Sequence, residues 1–432
     1  MIIGAGPSGL LLAHYLLRRG DRYQVEIYER LGDPREVELS NSRTIAYTLN
    51  ERGMGALRPI DGLEKAVRSV CVEHSTIVFH KANRKTQLLS QAQPLLNTNR
   101  ISLVQTLLSC LLETAESNRL KLHFNCECIG VDFERQTILF ESVSPYAKAE
   151  LKPLQVNYDR LIGADGSRSM VRSHFLKTPF FDCEQKTYRS CYKTLFFPSK
   201  NDQTGSELQP KGFHGWRIEE GINFTAVPQV SGGYISGVFV PRTRQEILNF
   251  TSVSQVKEFF GKYVPEVSLL LSDAEAEAFM KRPISTQLRV RCNRYHHKDR
   301  VLLIGDAAHA VSSSTGQGCN VALEDVQIFD RLLDESKDCW DIALAKFTER
   351  RLPDAHALWE LDGNVFPLSK LLFAEFILQE SWAKIAGRLF PNLVAPPLRE
   401  LMNSSTLPFS EILKIHRGWV TKVKASNQKI SC

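Results

Sequence analysis

The sequence predicts an α/β fold, in which a parallel sheet is interleaved with an antiparallel sheet and followed by helices. Three observations indicate this fold. A short apolar strand, a glycine-rich turn, an apolar helix and a second strand open the chain, strand-like runs separated by Gly and Pro turns fill its middle, and helical periodicity dominates its end. The 432 residues are 43% hydrophobic and 24% charged, and they give room for two or three domains.

Charge and cysteine content narrow the possible partners. Lys and Arg number 54 against 48 Asp and Glu, a net charge of +6, and the sequence has no block of consecutive basic residues of the kind that binds nucleic acid. The 10 cysteines lack the paired spacing of metal ligands, so we expect reduced thiols and no metal. No apolar run reaches the roughly 18 residues that span a bilayer. The sequence therefore predicts a soluble protein without a nucleic-acid partner or a transmembrane segment.

The first element is the strand at Ile2 and Ile3, followed by a G-x-G-x-x-G turn and an apolar helix. In this pattern Gly4 makes the tight turn, Gly6 lets the backbone approach a pyrophosphate, and Gly9 lets the helix pack closely on the sheet. Glu29 ends the second strand, where it can accept hydrogen bonds from ribose hydroxyls and would repel the 2′-phosphate of NADP. The pattern predicts a Rossmann-like domain that binds FAD or NAD through Gly4, Gly6, Pro7, Ser8, Gly9, Glu29 and Arg30.

Two later motifs favour FAD. Asp165 and Gly166 form a turn between a short apolar strand and a helix. Asp306 follows a second buried strand, and the chain then runs through Gly316 and Gly318 into a helix near Asn320. A flavin explains this second stretch, because Asp306 can bind a ribityl hydroxyl while the glycines let backbone N–H groups reach the N1–C2=O edge. The reduced ring is anionic at that edge, and fixed dipoles stabilise it.

In order and separation, these motifs resemble those of the single-component FAD-dependent aromatic hydroxylases, which have the p-hydroxybenzoate hydroxylase fold. The likeness runs from residue 1 to about residue 424. Within that family the chain is similar to the kynurenine 3-monooxygenases, in segments that include residues 42–46, 50–53, 179–182 and 260–265. The resemblance implies that Arg43 and Arg100 lie against the pyrophosphate or ribityl part of FAD.

The resemblance also implies the reaction. An FAD-dependent monooxygenase of this type takes electrons from transiently bound NAD(P)H and hydroxylates a small, electron-rich aromatic metabolite with O₂, through a flavin C4a-hydroperoxide. We expect no essential catalytic side chain, because the chemistry belongs to the flavin. Two alternatives stay open at this point. One is a flavin-dependent dehydrogenase or reductase without oxygen transfer, and the other is an FAD-binding protein that acts mainly through protein interaction.

The substrate pocket is where the sequence departs from the kynurenine hydroxylases. Those enzymes hold the substrate carboxylate with an Arg and a Tyr in the segment before the counterpart of Arg100, and neither is present here. Ser313, Ser314 and Thr315 stand where the relatives have a Pro and two Phe, which predicts a wider and wetter pocket wall. With Asn364, they are the candidate substrate-side residues. The reaction class is thus predicted more firmly than kynurenine as its substrate.

The expected domains are interleaved. Residues 1–70, 100–178 and 290–350 form the FAD-binding domain, and residues 71–99 and 179–289, with strand-like runs such as 192–197, 222–227 and 234–240, form an antiparallel sheet on the substrate side. Residues 351–432 are expected to be a helical cap, with peripheral membrane contact or partner binding as the alternative, in a monomer or weak dimer.

The start of the chain is short for a central strand. Only Met1, Ile2 and Ile3 precede Gly4, whereas a strand usually has about five residues. We therefore expect a native start further upstream. The compartment is then either the cytoplasm or an organelle whose targeting peptide is missing from this sequence.

Overall fold

The computed structural model of the protein describes residues 1–37, 44–80, 86–143, 153–209, 211–218, 221–390 and 393–431. The strands, in chain order, are β1 (Ile2–Ile3), β2 (Val25–Tyr28), β3 (Ala46–Leu49), β4 (Val72–His80), β5 (Thr86–Asn99), β6 (Leu120–His123), β7 (Cys126–Asp132), β8 (Thr137–Ser142), β9 (Leu154–Asn157), β10 (Leu161–Gly163), β11 (Cys183–Pro198), β12 (Lys200–Asn201), β13 (Ser206–Glu207), β14 (Phe213–Arg217), β15 (Asn223–Pro228), β16 (Gly233–Pro241), β17 (Ser285–Cys292), β18 (His296–His297) and β19 (Val301–Leu303).

The helices, in chain order, are α1 (Pro7–Leu17), α2 (Glu51–Gly55), α3 (Leu63–Ser69), α4 (Arg100–Thr114), α5 (Met170–Phe175), α6 (Val253–Tyr263), α7 (Pro265–Ser268), α8 (Asp273–Lys281), α9 (Asp306–His309), α10 (Gly318–Glu335), α11 (Trp340–Asn364), α12 (Lys370–Leu389), α13 (Leu398–Ser404), α14 (Phe409–Ile415) and α15 (Arg417–Ser431).

A six-stranded sheet in the order β18-β19-β10-β1-β2-β6 positions the predicted motifs. All of its pairs are parallel except β18 with β19. The short β1 lies at its centre, where Ile2 pairs with both Ile162 and Ile27. The carboxyl ends of β1, β2, β10 and β19 meet at one edge of the sheet, so the turns that follow these strands lie together. In open α/β sheets this edge is where ligands bind.

An eight-stranded sheet, which we call the roof, has the order β17-β11-β16-β15-β14-β4-β5-β3 and is antiparallel except for the β4–β14 pair. Its β11, β15 and β16 contain the strand-like runs that the sequence predicts. Alternate residues face opposite sides: Leu195 and Val238 join a core with helices α6 to α8, whereas Thr194 and Phe239 line a cavity. The predicted α/β fold with interleaved sheets is thereby confirmed.

The strands of the two sheets alternate along the chain. The parallel sheet takes strands from residues 2–28, 120–163 and 296–303, and the roof takes strands from 46–99, 183–241 and 285–292. β3 belongs to the roof, although it lies inside the first segment that the sequence assigns to the flavin domain. The domain boundaries themselves stay a prediction.

Helices α11 to α15 pack around a core of their own, which includes Leu358, Leu361 and Phe409. The periodicity of α12 predicts a helix correctly, but many of its apolar side chains face outwards. Phe376 is 2% exposed, whereas the exposed stripe of α12 consists of residues between 64% and 79% exposed, namely Leu371, Leu378, Trp382, Ile385 and Leu389. Among the described helices, none combines the length and the apolar character needed to cross a membrane.

Candidate flavin site

The glycine-rich turn after β1 packs two of its glycines tightly and leaves the third open. A Cβ on Gly4, whose φ is +104°, would lie 2.4 Å from the carbonyl oxygen of Ala164, and one on Gly9 would lie 2.1 Å from that of Gly4. A Cβ on Gly6 would meet no atom of the described residues within 4 Å, and Gly6 lines the cavity. Pro7 starts α1, whose first N–H groups have no partner inside the helix. The open side of Gly6 and this helix start form a cradle for an anionic group.

Glu29 follows β2, and two backbone groups fix its carboxylate. The N–H of Ala5 donates to Oε2 at 2.8 Å, and the N–H of Leu31 donates to Oε1 at 2.9 Å. Glu29 lines the cavity together with Arg30 and Ser8. Each carboxylate oxygen can accept more than one hydrogen bond, so acceptor capacity remains for the two hydroxyls of a ribose.

Asp165 caps the start of α5. Its Oδ2 accepts the N–H of Met170 at 2.7 Å and that of Val171 at 3.2 Å, while Gly166 takes the positive φ of +79° that the turn requires. Its Oδ1 is buried and has no hydrogen-bond partner in the part of the chain that the structure describes. Burial raises the pKa of this carboxyl. Because Asp165 lines the cavity, its free oxygen is an acceptor for a ligand hydroxyl.

Asp306 lines the same cavity at the start of α9, and a buried acid fixes the turn in front of it. Oδ2 of Asp325 accepts the N–H of Gly305 at 3.0 Å and contacts Nε2 of His309 at 2.7 Å. Its Oδ1 accepts Nε–H of Arg351 at 2.7 Å. Burial opposes ionisation of Asp325, but His309 and Arg351 outweigh it and lower its pKa. His309 therefore has a structural role here.

A second helix starts at the cavity. Gly316 has a φ of +68°, and a Cβ at this position would meet no atom within 4 Å. The next glycine, Gly318, begins α10, and a Cβ on it would lie 3.9 Å from Oδ1 of Asp306. Both glycines line the cavity, and no side chain caps this helix. The first N–H groups of α10 thus complement those of α1 in an anion-favouring environment.

Asn320 and Asn364, like the packed Gly9, lie outside the cavity lining. Asn320 uses its whole amide within the protein, since Oδ1 accepts the N–H of Asn50 at 3.0 Å and Nδ2 donates to the carbonyls of Thr48 and Gly316 at 2.9 and 3.0 Å. It therefore holds the loop that contains Gly316. Asn364 donates to a carbonyl in the preceding turn of its own helix at 2.8 Å.

The three hydroxyl residues predicted for the pocket wall, at positions 313–315, contact two different side chains. Ser313 lines the cavity beside Gln287, whose amide accepts the Ser313 N–H at 2.8 Å and donates to the Ser313 hydroxyl at 2.9 Å. The hydroxyls of Ser314 and Thr315 instead contact Oδ1 of Asp362, at 2.9 and 3.4 Å. Of the three predicted residues, Ser313 alone lines the cavity directly.

Asp362 is a residue that the sequence does not single out. It lies in the last turn of α11, its side chain has 0% exposure, and Nε of Arg289 lies 3.1 Å from its Oδ2. Burial raises the pKa of the Asp362 carboxyl, against the opposing charge of Arg289. The one sequence signal is indirect: hydroxyl side chains replace aromatic ones at 313–315, and these hydroxyls need a buried acceptor.

These turns and the roof enclose one cavity of about 590 Å³. Arg100, at the start of α4, lines it, whereas Arg43 lies outside the described residues. The roof contributes aromatic, aliphatic and hydroxyl side chains to the lining, namely Tyr192, Thr194, Phe213, Thr225, Val227, Ile235 and Phe239.

The donor and acceptor set fits FAD. Two helix starts and the open face of Gly6 suit its pyrophosphate and its anionic ring edge, while Glu29, Asp165 and Asp306 offer acceptors for its hydroxyls. A family model described as FAD binding domain matches residues 1–359, and the chain belongs to this family.

Curated relatives support this class along most of the chain. A kynurenine 3-monooxygenase of Chaetomium globosum is 32% identical over 398 residues, which cover 84% of this chain and 81% of the relative. That of Sus scrofa is 28% identical over 428 residues, covering 98% and 87%. A violacein synthase of Chromobacterium violaceum is 26% identical and covers 96% of both chains. The chain is an FAD-dependent monooxygenase of the aromatic hydroxylase type, as the motifs predict, and these relatives do not favour the two alternatives without oxygen transfer.

Solved structures share the fold. The tetrameric form of 2-methyl-3-hydroxypyridine-5-carboxylic acid oxygenase has a TM-score of 0.68 at 17% identity, covering 93% of this chain and 94% of its own. PqsL of P. aeruginosa, solved in complex with 2-aminobenzoylacetate, has a TM-score of 0.61 at 19% identity and covers 84% and 94%.

Proposed function

We propose that the enzyme hydroxylates a small aromatic metabolite, with NAD(P)H as electron donor and O₂ as oxygen source. The observation that carries this proposal is the composition of the roof side of the cavity. Rings of Tyr192, Phe213 and Phe239 stand there with the hydroxyls of Thr194 and Thr225. Such a surface suits a flat, mainly apolar ring with one or two polar substituents.

The chain's own residues bind and orient FAD in this proposal. Glu29 accepts hydrogen bonds from the ribose hydroxyls, and Gly6 with the start of α1 holds the pyrophosphate. Asp306 accepts a ribityl hydroxyl, and Gly316 with the start of α10 stabilises negative charge at the ring edge. Arg43 and Arg100 neutralise phosphate charge. Bound FAD supplies electron transfer from NAD(P)H and the activation of O₂.

The protein's second task is to position the substrate and exclude water. The roof covers the cavity, and the other face of its strands β11, β15 and β16 packs in an apolar core that limits the approach of water from that side. Ser313 and Gln287 form a polar edge that can orient a substituent of the ring. Near-attack positioning of this kind contributes to rate without an acid or base from the protein.

Kynurenine is the first compound to test, because several curated relatives carry that name. The missing Arg and Tyr argue that its carboxylate is not held as in those relatives. We therefore propose a substrate related to kynurenine in its aromatic ring and different in its side chain.

The test uses FAD-loaded protein with NADH or NADPH, ¹⁸O₂ and a panel of aromatic acids, amines and neutral phenols. Substrate-stimulated NAD(P)H oxidation with one ¹⁸O atom in the product is the expected result. Oxidation of NAD(P)H with no labelled product would support a reductase instead. Kynurenine is included beside its decarboxylated amine, and equal or better turnover of the amine would show that the carboxylate is not recognised.

For assembly and location, the proposal is a monomer or weak dimer with peripheral membrane contact through α12, in the cytoplasm or an organelle. The exposed stripe of α12 supports a surface contact of this kind. Sedimentation of the protein alone and flotation with vesicles test the two contacts, and fractionation of tagged full-length protein tests the compartment.

A further inference from the structure

Two cysteines face each other at the base of the roof. Cys183 begins β11 and Cys292 ends β17, and the register of the two antiparallel strands places them directly opposite. The next residues outward form a hydrogen-bonded pair, because the N–H of Asn293 donates to the carbonyl of Asp182 at 3.0 Å. Cys183 and Cys292 are therefore a non-hydrogen-bonded pair, in which Cα atoms are about 4.5 Å apart and side chains are closest. That separation lies within the range that a disulfide can span.

The two thiols are already in contact. The S–H of Cys292 points at Sγ of Cys183 over 3.5 Å. Cys292 is 1% exposed, whereas Cys183 is partly exposed and is thus the thiol that a small reagent can reach. The hydrogen bond from Cys292, with help from the charge of Arg172, lowers the pKa of Cys183 below that of an ordinary thiol. A thiolate beside a buried thiol is the arrangement that oxidation converts to a disulfide.

A disulfide between these cysteines would join two points that are far apart along the chain. The chain leaves the parallel-sheet part at Cys183, builds most of the roof, and returns at Cys292, a separation of 109 residues. A disulfide at these two points would join β11 to β17 at the base of the roof. Arg172 interacts with Cys183 and donates to the carbonyls of Ser167 and Ala307 at 2.7 and 2.8 Å, so it links the cysteine pair to the turns at the flavin cavity.

We propose that Cys183 and Cys292 form a peroxide-oxidisable pair that closes into a disulfide at the base of the roof. The Cys183 thiolate attacks hydrogen peroxide, an S–O bond forms as the O–O bond breaks, and hydroxide leaves. The Cys292 thiol then attacks the sulfenic sulfur, its proton goes to the departing oxygen, and water is released. Across both steps, two thiols lose two electrons and two protons while one peroxide becomes two waters.

The experiment follows the thiols of full-length, FAD-loaded protein that has been reduced, desalted and treated with hydrogen peroxide. Digestion without reductant should yield a peptide that joins Cys183 to Cys292, with the loss of two titratable thiols, and dithiothreitol should restore both. The thermal unfolding midpoint should rise on oxidation, since the bond closes a long loop.

Two single variants sharpen this test. Cys183→Ser should lose the cross-linked peptide and the rise in unfolding midpoint. The matched control is Cys339→Ser, which removes an exposed thiol that has no cysteine neighbour in the described structure, and it should keep both effects. Because the peptide map of the unmodified protein needs no variant, it decides the question even if a variant fails to fold. Absence of the cross-link while Cys339 is oxidised would overturn the proposal.

Discussion

The carboxylate of Asp362 holds Ser312 by two hydrogen bonds, one from the backbone N–H at 3.0 Å and one from the hydroxyl at 2.8 Å. The same carboxylate accepts the hydroxyl of Ser314 at 2.9 Å and pairs with Arg289. A single buried acid from α11 therefore shapes the loop that leads to Gly316 at the flavin cavity. Asp362 acts on the cofactor site as a positioning residue, since the loop stands between them.

We predict that Asp362→Asn loosens this loop and weakens FAD binding. Asp362 uses both carboxylate oxygens as acceptors, whereas the Asn side chain has only one acceptor oxygen. The negative charge that compensates the buried Arg289 is also lost. Removing one partner of such a pair costs about 3–5 kcal/mol. FAD affinity should fall about tenfold or more, equivalent to ~1.4 kcal/mol. Urea unfolding of the apoprotein and titration of flavin fluorescence measure the two effects.

The control for Asp362 lies on the same helix. Glu360 pairs with Lys424 at the surface, and Glu360→Gln should change stability by less than about 1 kcal/mol, with FAD affinity unchanged. Equal behaviour of the two variants would show that Asp362 has no special role in the loop.

We predict that Gly6→Ala sharply lowers FAD retention while leaving the apoprotein folded. The new methyl meets no protein atom within 4 Å, so it costs little in packing and projects into the cradle for the pyrophosphate. The control is Gly387→Ala in α12, where a Cβ also meets nothing within 4 Å. Loss of FAD on desalting should occur in the first variant and not in the second. Retention of FAD by Gly6→Ala would contradict the assignment of the cradle.

The parts of the site that the sequence predicts are local. Gly4 and Gly6 lie in the turn before α1 and Gly9 in its first turn, while Gly316 and Gly318 lie at the start of α10. The sequence alone identifies such residues, because turn geometry and helix packing set their spacing in the same way in every chain. Gly4, Gly6, Gly316 and Gly318 line the cavity, and their contacts with FAD stay a prediction.

The parts that the sequence misses depend on distant contacts. Asp362 meets Ser312 across a separation of 50 residues, and no period or spacing links an acid in α11 to a serine loop. Asn320 fits the motif, yet its amide is taken up by Thr48 and Asn50, which only tertiary packing reveals. In α12, periodicity predicts the helix, but it does not tell which apolar residues lie against the core.

We predict that Glu29→Gln lowers FAD affinity about tenfold, equivalent to ~1.4 kcal/mol. The carboxylate oxygens accept the N–H groups of Ala5 and Leu31, and an amide turns an NH₂ group toward one of them. The ribose hydroxyls also lose a charged acceptor. Glu26→Gln is the matched control, because Glu26 lies on β2, three residues before Glu29, and pairs with Lys121 at the surface. Equal FAD dissociation constants for the two variants would rule out the proposed role of Glu29.

We predict that stability falls as the pH drops from about 6.5 toward 4, and that His74 contributes to the fall. Burial lowers the pKa of His74 to about 4, against about 6.5 for an ordinary histidine. Between these values the unfolded chain binds a proton that the folded chain excludes, so stability rises with pH and this contribution is complete above about 6.5. His74 is 5% exposed, and its Nδ1 lies 2.9 Å from the amide nitrogen of Asn97.

Urea unfolding at several pH values between 4.5 and 7.5 gives the free energy of unfolding as a function of pH. This free energy should rise with pH less steeply in His74→Gln than in the parent, by up to about 1.4 kcal/mol per pH unit. The neighbouring Glu73→Gln should keep the parent's dependence of stability on pH in the upper half of that range. An equal dependence in His74→Gln and the parent would show that the folded protein binds a proton at His74 as readily as the unfolded chain does.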